Sequence, residues 1–370
     1  MPAALCDDWR NWSAAFGPGF ESLCEDLRAR SGELERDGAW PEPQFERLAE
    51  AGVLGWVIPR EYGGSDLSAT ELTAGYERLA RACLVTTFVL TQRNGACQRI
   101  AGSENEALKA ELLPRLCRGE NFATVGISHL TTSRQHLSRP AVEARETDGG
   151  FVLTGSVPWV TGSGFADFVV TGGTCGDGRQ ILVALPMHLN GVTKHAPPRL
   201  LALNASQTAS VTLDQVELDA HHLIAGPIER VMSHGSGGGA GSLTTSALAI
   251  GTAAAAIEQL GEEVERRPDL AESHDRLVAD WNDLDRGMLA ALTGDARDGE
   301  PPPSNEAIRQ RANSLALRAS QAFLAASKGA GFVAGHPAER LVREAMFFLV
   351  WSCPQPVLQA TLRELACALE

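Results

Sequence analysis

The sequence has few of the features expected of a membrane, nucleic-acid-binding or secreted protein. It contains no run of 18 or more uninterrupted apolar residues, so no membrane-spanning helix is expected. Lys and Arg number 32 against 46 Asp and Glu, and the net charge of −14 argues against nucleic-acid binding, which needs clustered basic residues. Residues 1–10 lack a basic stretch followed by an apolar core, so no signal peptide is expected.

Cysteine pairs and metal-binding motifs are also lacking. The eight cysteines are scattered and form no C-x-x-C pair. In a long chain without an expected secretion signal, this pattern is typical of reduced and mostly buried thiols, and it predicts a cytoplasmic protein. His221 and His222 are adjacent, and on an extended chain they would point in opposite directions, so we expect no metal site there.

The sequence does contain regular patterns, and their period changes twice along the 370 residues. Apolar residues recur at helical spacing in the first and last thirds of the chain. Between Phe122 and Gly226, period-two alternation and turn residues are typical of strands. The sequence therefore predicts an α+β protein with an N-terminal helical domain at 1–120, a central β-domain at 121–232 and a C-terminal helical domain at 233–370.

Within the central region, turn residues separate short alternating segments. Ala141–Glu146 and Phe151–Gly155 flank one turn, and Phe168–Val170 and Ile181–Leu185 flank another, which predicts two hairpins. Residues 209–218 are a further strand region. We expect these strands to form a small β-barrel or sandwich.

A glycine-rich run at residues 235–241 precedes the C-terminal helices. Such a run can cradle phosphate at the start of a helix. This one lacks the Gly-Lys-Ser/Thr ending of a P-loop and follows no strand closely, so we interpret it as a hinge.

Three motifs occur in an order that resembles the acyl-CoA dehydrogenase superfamily. Residues 59–64 (PREYGG) resemble that family's P-x-E-Y-G-G, and residues 155–162 (GSVPWVTG) resemble G-x-K-x-W-I-T-N. Residues 329–345 contain G-A-G, P-A-E-R and R-E-A, similar to the family's G-x-G, P-x-E-R and R-D-A. The resemblance covers about residues 45–355. It implies a helical domain, a β-barrel domain and a C-terminal helical bundle, and an FAD-dependent oxidoreductase acting on CH–CH donors.

The same resemblance implies where a flavin would bind. Trp159 lies beside a turn and offers an indole face to the isoalloxazine ring, and Thr161 is predicted on the same strand face. Ser128 stands where the family has a flavin-contacting Thr, and Ser133 falls in the family's A-G-S-D region. Core packing for Trp159 and turn chemistry for the serines are the alternative interpretations.

The resemblance also assigns residues near the end of the chain to the cofactor. Arg267, or Arg266 in its place, would reach a diphosphate across a subunit interface, which favours FAD over FMN. A solvated arginine at a helix end is the alternative. Gly329 and Gly331 belong to the last motif and are placed beside the cofactor with it.

The departures from the family pattern concern the chemistry. Ungapped counting from R-E-A puts the family's Y-E-G-T on residues 351–354 (WSCP), so Ser352 stands where the proton-abstracting Glu is expected. A hydroxyl without a partner is not a base near neutral pH. The family's second position for this Glu corresponds to residues 239–245, which also lack a carboxylate. Ala325 and Pro354 stand where the family has a flavin-contacting Gln and Thr. Because neither expected position has a carboxylate, the catalytic residue is unknown.

Two further residues lie near these positions. His129 stands where the family has a Glu beside the flavin, and because histidine titrates near neutrality it is of interest, although a structural role is favoured. Cys353 follows Ser352 and is interpreted as either a thiol facing the substrate or a buried thiol.

Three functional hypotheses follow. The first is a flavin oxidoreductase acting on an acyl-CoA, a carrier-bound acyl group or a similar small substrate, with a base from another position. The second is a flavin monooxygenase of the same fold, which needs no such base. The third is a non-catalytic scaffold, which the thinned flavin contacts favour. We also expect a homodimer or homotetramer, because the Ala-rich helix from Ala247 and residues 346–351 have extensive apolar surface.

Overall fold

In the computed structural model of the protein, helices precede and follow a central sheet. The structure describes residues 3–5, 13–131, 139–234, 242–296 and 299–366. The helices before the sheet are α1 (Ser13–Phe16), α2 (Phe20–Asp37), α3 (Glu42–Glu50), α4 (Ala69–Ala82), α5 (Leu84–Ala101) and α6 (Glu106–Cys117).

The sheet region consists of strands and one short helix. Its elements are β1 (Ala123–Val125), α7 (Ser128–Thr131), β2 (Val142–Thr147), β3 (Gly150–Val160), β4 (Phe168–Thr174), β5 (Gln180–Pro186), β6 (Val192–Lys194), β7 (Ala209–Asp219) and β8 (Leu223–Ile228). The strands form one eight-stranded sheet in the order β6-β7-β3-β2-β4-β5-β8, with β1 parallel to β4.

The last part of the chain is helical. Its helices are α8 (Leu243–Arg266), α9 (Ala271–Thr293), α10 (Asn305–Gly331), α11 (Pro337–Met346) and α12 (Gln355–Ala366). Single-turn 3₁₀ helices lie at Val53–Gly55, Arg60–Tyr62, Asn204–Ser206, Ala220–His222, Val231–Ser233, Pro268–Leu270 and Phe347–Leu349. The predicted helical, sheet and helical order is confirmed.

The predicted hairpins are present in the sheet. β2 pairs with β3 in antiparallel register from Val142 opposite Gly155 to Thr147 opposite Gly150. β4 pairs with β5 in the same way from Phe168 opposite Pro186. The described pairings end at β6 and β8, and within the described residues no pairing joins these two strands.

The PREYGG motif, residues 59–64, forms a tight turn between α3 and α4. Residues Arg60–Tyr62 make one 3₁₀ turn, and Gly63 follows with a φ of 89°. A Cβ on Gly64 would lie 1.9 Å from the carbonyl oxygen of Ile58, so only glycine fits there. Farther on, Ser68 and Glu71 form a capping box that begins α4.

The two helical regions share one apolar core, whereas the sheet has a second core of its own. α8 lies at the centre of the shared core and packs against α4 and α10. A Cβ on Gly251 of α8 would lie 2.3 Å from the Glu77 carbonyl oxygen, so a glycine permits the close crossing with α4.

This packing corrects one expectation. Residues Ala247–Ala254 of α8 are all buried within the chain itself, so they do not provide the exposed apolar surface that we expected for a subunit interface. The small side chains allow neighbouring helices to cover α8 from both sides. No helix in the described part of the chain is both long and apolar enough to cross a membrane.

An ion-pair network joins the three regions at one point. Arg343 Nη1 on α11 donates to Glu35 Oε1 on α2 at 2.7 Å and to the Leu201 carbonyl at 2.9 Å. The other oxygen of Glu35 accepts from the Leu203 backbone N–H at 3.1 Å. Burial, followed by repulsion from Glu344, raises the pKa of Glu35, and the hydrogen bond from Arg343 opposes this rise.

Candidate functional site

Ser128 begins the short helix α7 immediately beyond β1, and α7 packs against β3. The turn between β1 and α7 is held by the Thr171 hydroxyl, which donates to the Gly126 carbonyl at 2.7 Å. Ser128 Oγ is buried and has no hydrogen-bond partner among the described residues. A buried hydroxyl without a partner is uncommon, and it is a polar group available to a ligand.

Trp159 lies near the end of β3, on the strand that α7 contacts. Its side chain is 51% exposed, although tryptophan is usually well buried. Thr161 lies one residue beyond the strand and is only 4% exposed. The predicted shared strand face does not extend to Thr161, because a register shift between Val157 and Val160 interrupts the pairing and the strand then ends. We call Ser128, Trp159 and Thr161 the cofactor cluster.

Thr161 is the end of a chain of buried hydroxyl groups that sequence reasoning missed. Its Oγ1 lies 3.1 Å from Thr208 Oγ1, which in turn lies 2.8 Å from Ser206 Oγ. Each of the two hydrogen bonds uses one hydroxyl proton. One of the three hydroxyl protons therefore remains for a hydrogen bond to a group outside the chain of hydroxyls. We call Thr161, Thr208 and Ser206 the hydroxyl chain.

A turn with unusual backbone angles positions the hydroxyl chain. Leu203 and Gln207 have φ angles of 61° and 48°, which are uncommon for residues other than glycine. The Ser206 carbonyl accepts from the Gly162 N–H at 2.9 Å, so the turn is attached directly to the end of β3. Gln207 Nε2 donates to the Gly38 carbonyl at 2.5 Å, which attaches the turn to the N-terminal helices. No local motif in the sequence indicates these contacts.

His129 is part of the structural support of this region. It is buried, and its Nε2 lies 3.0 Å from the Gly172 carbonyl oxygen on β4. The favoured structural role is therefore consistent with its position. Ser133 and the glycine-rich run at 235–241 lie outside the described residues.

Arg267 caps the C-terminal end of α8 and reaches α10. Its Nη1 donates to the Ala326 carbonyl at 2.7 Å, and its Nη2 lies 3.5 Å from Asp269. Arg266 instead pairs with Glu263 at 2.8 Å and is well exposed. Part of the hydrogen-bonding capacity of Arg267 is therefore used within the chain, and the rest remains for a ligand.

The predicted glycines lie on the same segment of α10 as the contact of Arg267. The helix is interrupted at Lys328, where φ is 54° and ψ is −147°. A Cβ on Gly331 would lie 2.6 Å from Ser327 Cβ, whereas one on Gly329 would meet nothing within 4 Å. Gly331 is therefore required by packing, and Gly329 leaves space on the surface.

The two segments in which the resemblance expects a catalytic Glu are joined by one side chain, that of Arg309. Arg309 on α10 donates from Nη1 to the Thr245 carbonyl at 2.6 Å and from Nη2 to the Trp351 carbonyl at 2.8 Å. It thereby ties residues 351–354, which we call the WSCP loop, to the start of α8. Neither the loop nor the described residues 242–245 contain a carboxylate.

Aromatic side chains pack beneath the WSCP loop. The Trp351 ring stacks on Phe347 with centroids 5.2 Å apart and meets the edge of Phe88 on α5 at 5.3 Å. Ser352 adopts a φ of 50°, so the loop backbone turns sharply at the position where a Glu was expected.

Two buried acids near the C-terminal helices are in ion pairs. Glu344 pairs with Arg340 at 3.1 Å, and Glu35 pairs with Arg343 at 2.7 Å. Among the described residues, no three His, Cys, Asp or Glu side chains are placed to share a metal ion. His221 and His222 lie on a 3₁₀ turn rather than on extended chain as expected, and His221 Nε2 contacts Glu111 at 2.7 Å.

Comparisons with known proteins agree with this architecture. Residues 21–120 match the family model of the acyl-CoA dehydrogenase N-terminal domain. The chain is 24% identical over 330 residues to the probable acyl-CoA dehydrogenase YngJ of Bacillus subtilis, covering 84% of this chain and 86% of that protein. It is also 24% identical over 365 residues to benzylmalonyl-CoA dehydrogenase of Aromatoleum aromaticum, covering 91% and 93% of the two chains.

The fold is that of a solved dehydrogenase. The structure of butyryl-CoA dehydrogenase from Megasphaera elsdenii superposes with a TM-score of 0.79 at 19% identity, covering 99% of this chain and 100% of that one. The order of the motifs predicted a resemblance to the acyl-CoA dehydrogenase superfamily, and the domain matched at residues 21–120 and these relatives all lie in that superfamily. This superfamily consists of acyl-CoA dehydrogenase-like flavoproteins.

Proposed function

We propose that the protein is an FAD-dependent oxidoreductase that acts on the CH–CH bond of an acyl thioester or a similar small substrate through a non-standard catalytic site. The observation that supports this most directly is the cofactor cluster. Ser128 offers a buried hydroxyl without a described partner, Trp159 offers an exposed ring, and Thr161 ends a chain of hydroxyls.

The residues of the cluster suit a flavin ring. The isoalloxazine system is flat and apolar on its faces, and the Trp159 indole would pack against such a face. Its edges carry hydrogen-bonding atoms, for which Ser128 and Thr161 supply hydroxyls. When bound, the flavin would supply the capacity to accept two electrons. The protein's own part is to orient the ring and keep its polar edge hydrogen-bonded.

We further propose FAD rather than FMN, with Arg267 contacting the diphosphate in a homodimer or homotetramer. Phe332 and Val333, directly after Gly331, are 81% and 62% exposed. Exposed apolar side chains beside the segment that Arg267 contacts support a subunit interface there. Light scattering at micromolar concentration tests the assembly, and a monomer would contradict it.

The absence of a carboxylate from the WSCP loop and from residues 242–245 favours a second candidate, a flavin monooxygenase of the same fold. In such chemistry reduced flavin reacts with oxygen, and no α-proton base is needed. A third possibility, a scaffold without catalysis, is favoured by Ala325 and Pro354, which offer no side-chain hydrogen bonds to a flavin.

The test is the visible absorption spectrum of the purified protein, followed by identification of any released flavin by chromatography. Bound FAD supports the proposal, and bound FMN rejects the choice of nucleotide. If the protein neither contains nor takes up a flavin, the scaffold hypothesis is favoured. Ser128→Ala should weaken flavin binding by about 1 kcal/mol, the contribution of one hydrogen bond. Unchanged affinity in that variant would remove Ser128 from the site.

A further inference from the structure

Cys353 on the WSCP loop is partly exposed, and polar groups surround its sulfur. Its thiol donates to the Phe348 carbonyl at 3.1 Å. The Asn313 amide Nδ2 lies 3.9 Å from the same sulfur. The thiol is therefore both accessible and within reach of a hydrogen-bond donor on α10.

Arg309 adds a buried positive charge to these surroundings. Its side chain is fully buried, and its described hydrogen bonds go to the backbone carbonyls of Thr245 and Trp351. Burial lowers the pKa of Arg309 to about 10, and its interaction with Cys353 opposes this change. Arg309 Cζ lies 5.4 Å from the centre of the Trp351 ring, so the cation packs against the loop that carries Cys353.

Two buried polar atoms of the residues that hydrogen-bond to this loop have no described partner. Arg309 Nε has no hydrogen-bond partner among the described residues, and neither does Asn313 Oδ1. Arg309 and Asn313 are four residues apart on α10, so they lie on the same face of the helix. Folded proteins seldom leave such groups unsatisfied, and where they do, the groups commonly serve a ligand or a reaction.

The other cysteines in the described ranges have different surroundings. Cys24, Cys83, Cys97 and Cys175 are buried, and burial raises the pKa of each of them, that of Cys24 to about 12. Cys117 is a closer match to Cys353, because it is also partly exposed and donates to a backbone carbonyl, that of Gly63, at 3.2 Å. Burial is the main influence on Cys117 and raises its pKa.

We propose that Cys353 is a reactive thiol site for soft electrophiles, in which Arg309 and Asn313 stabilise the thiolate. When the thiol loses its proton, the sulfur no longer donates to Phe348 and accepts instead from the guanidinium and the amide. Electropositive, partly exposed surroundings are those in which cysteines react. This inference does not depend on a bound flavin.

The reaction is a simple displacement at sulfur or carbon. With a small-molecule disulfide, the Cys353 thiolate attacks one sulfur, a new S–S bond forms and the other sulfur leaves as a thiolate. With iodoacetamide, an S–C bond forms and iodide leaves. Neither reaction requires an added oxidant or reductant.

The experiment is brief alkylation of the intact native protein with iodoacetamide over a range of pH, with each cysteine peptide quantified by mass spectrometry. At about pH 7, we expect Cys353 to react roughly 10-fold faster than Cys117. Arg309→Met should reduce the Cys353 rate to that of Cys117. Arg311→Ala is the matched control, because Arg311 is an exposed arginine on the same helix that pairs with Asp283; the Cys353 rate should not change.

Two results would overturn the proposal. One is wild-type protein in which Cys353 reacts no faster than Cys117. The other is a folded Arg309→Met variant with an unchanged Cys353 rate. Because Arg309 is buried, loss of the fold would show as new labelling of Cys24 and Cys97. In that case the wild-type comparison of Cys353 with Cys117 decides the question.

Discussion

The cofactor cluster and the WSCP loop differ in the polar groups that they offer. The cofactor cluster has hydroxyls at Ser128 and Thr161 and an exposed indole at Trp159. The WSCP loop has no carboxylate, and the charged group bound to its backbone is the cation Arg309. The groups proposed to contact a flavin and the position where a base was expected therefore lie on separate elements.

The largest effect that would sharpen this comparison concerns proton abstraction. We expect the unmodified protein to oxidise straight-chain saturated acyl-CoAs very slowly, because general base catalysis typically contributes 10²–10⁴-fold and Ser352 has no carboxylate. Ser352→Glu should raise any trace rate, and Ser352→Gln, of the same size but without a base, should not. Rapid turnover by the unmodified protein would show that another group acts as the base.

The next largest effect concerns the ion pair of Arg343 and Glu35. This pair joins α11 to α2 and to the turn at Leu203. Arg343→Ala should lower the free energy of unfolding by about 3–5 kcal/mol, because it leaves the Glu35 carboxylate buried without its partner. The Glu35 side chain is 2% exposed. Urea unfolding measures the loss.

The matched control for that variant is an exposed pair. Arg318 and Asp280 are 2.9 Å apart and each 49% exposed. Arg318→Ala should therefore change the free energy of unfolding by less than about 1 kcal/mol. Equal losses in the two variants would mean that the network around Glu35 contributes no more than a surface ion pair.

A smaller effect concerns the diphosphate. Arg267→Ala should weaken FAD binding roughly 10- to 100-fold, because a charge-assisted hydrogen bond contributes about 1.5–3 kcal/mol. Riboflavin has no phosphate, so its binding should change little in the same variant. Arg266→Ala is the control, since Arg266 already pairs with Glu263. Unchanged FAD affinity in the Arg267 variant would remove this residue from the site.

The smallest predicted effect concerns the hydroxyl chain. Thr208→Val keeps the shape of the side chain but breaks the link between Thr161 and Ser206, so flavin affinity should fall by about 1 kcal/mol and the visible absorption maximum should shift. Thr212→Val, four residues farther on in β7, is the control, because the Thr212 hydroxyl contacts His195 at an exposed position. A spectrum identical to the wild type would show that the chain does not act on the ring.

Several features of the fold could be predicted because they depend on local patterns. The strand predicted at Phe151–Gly155 lies within β3, and the tight turn at residues 59–64 is present. Helical spacing was predicted for the last third of the chain, and α10 in that region continues to Gly331 through an interruption at Lys328. Helix propensity does not indicate this interruption, because tertiary context can override propensity.

Other features could not be predicted from residue type alone. The apolar run at residues 346–351 suggested surface for a partner, yet Phe348 is fully buried while Val350 is 78% exposed. Apolar periodicity shows that a segment has a face to cover, but it does not show whether the same chain covers it. The burial of α8 by α4 and α10 shows the same limit.

By itself, the sequence determined the order of helices and strands, the resemblance to the superfamily and the absence of a carboxylate at Ser352, because these depend on neighbouring residues and on motif order. Only the tertiary structure decided which distant groups meet. Thr161 meets Thr208 across 47 positions, and Arg309 meets Thr245 across 64. Hydrogen bonds of this kind have no periodic pattern, since they depend on where strand ends and helix faces come together after the chain has folded.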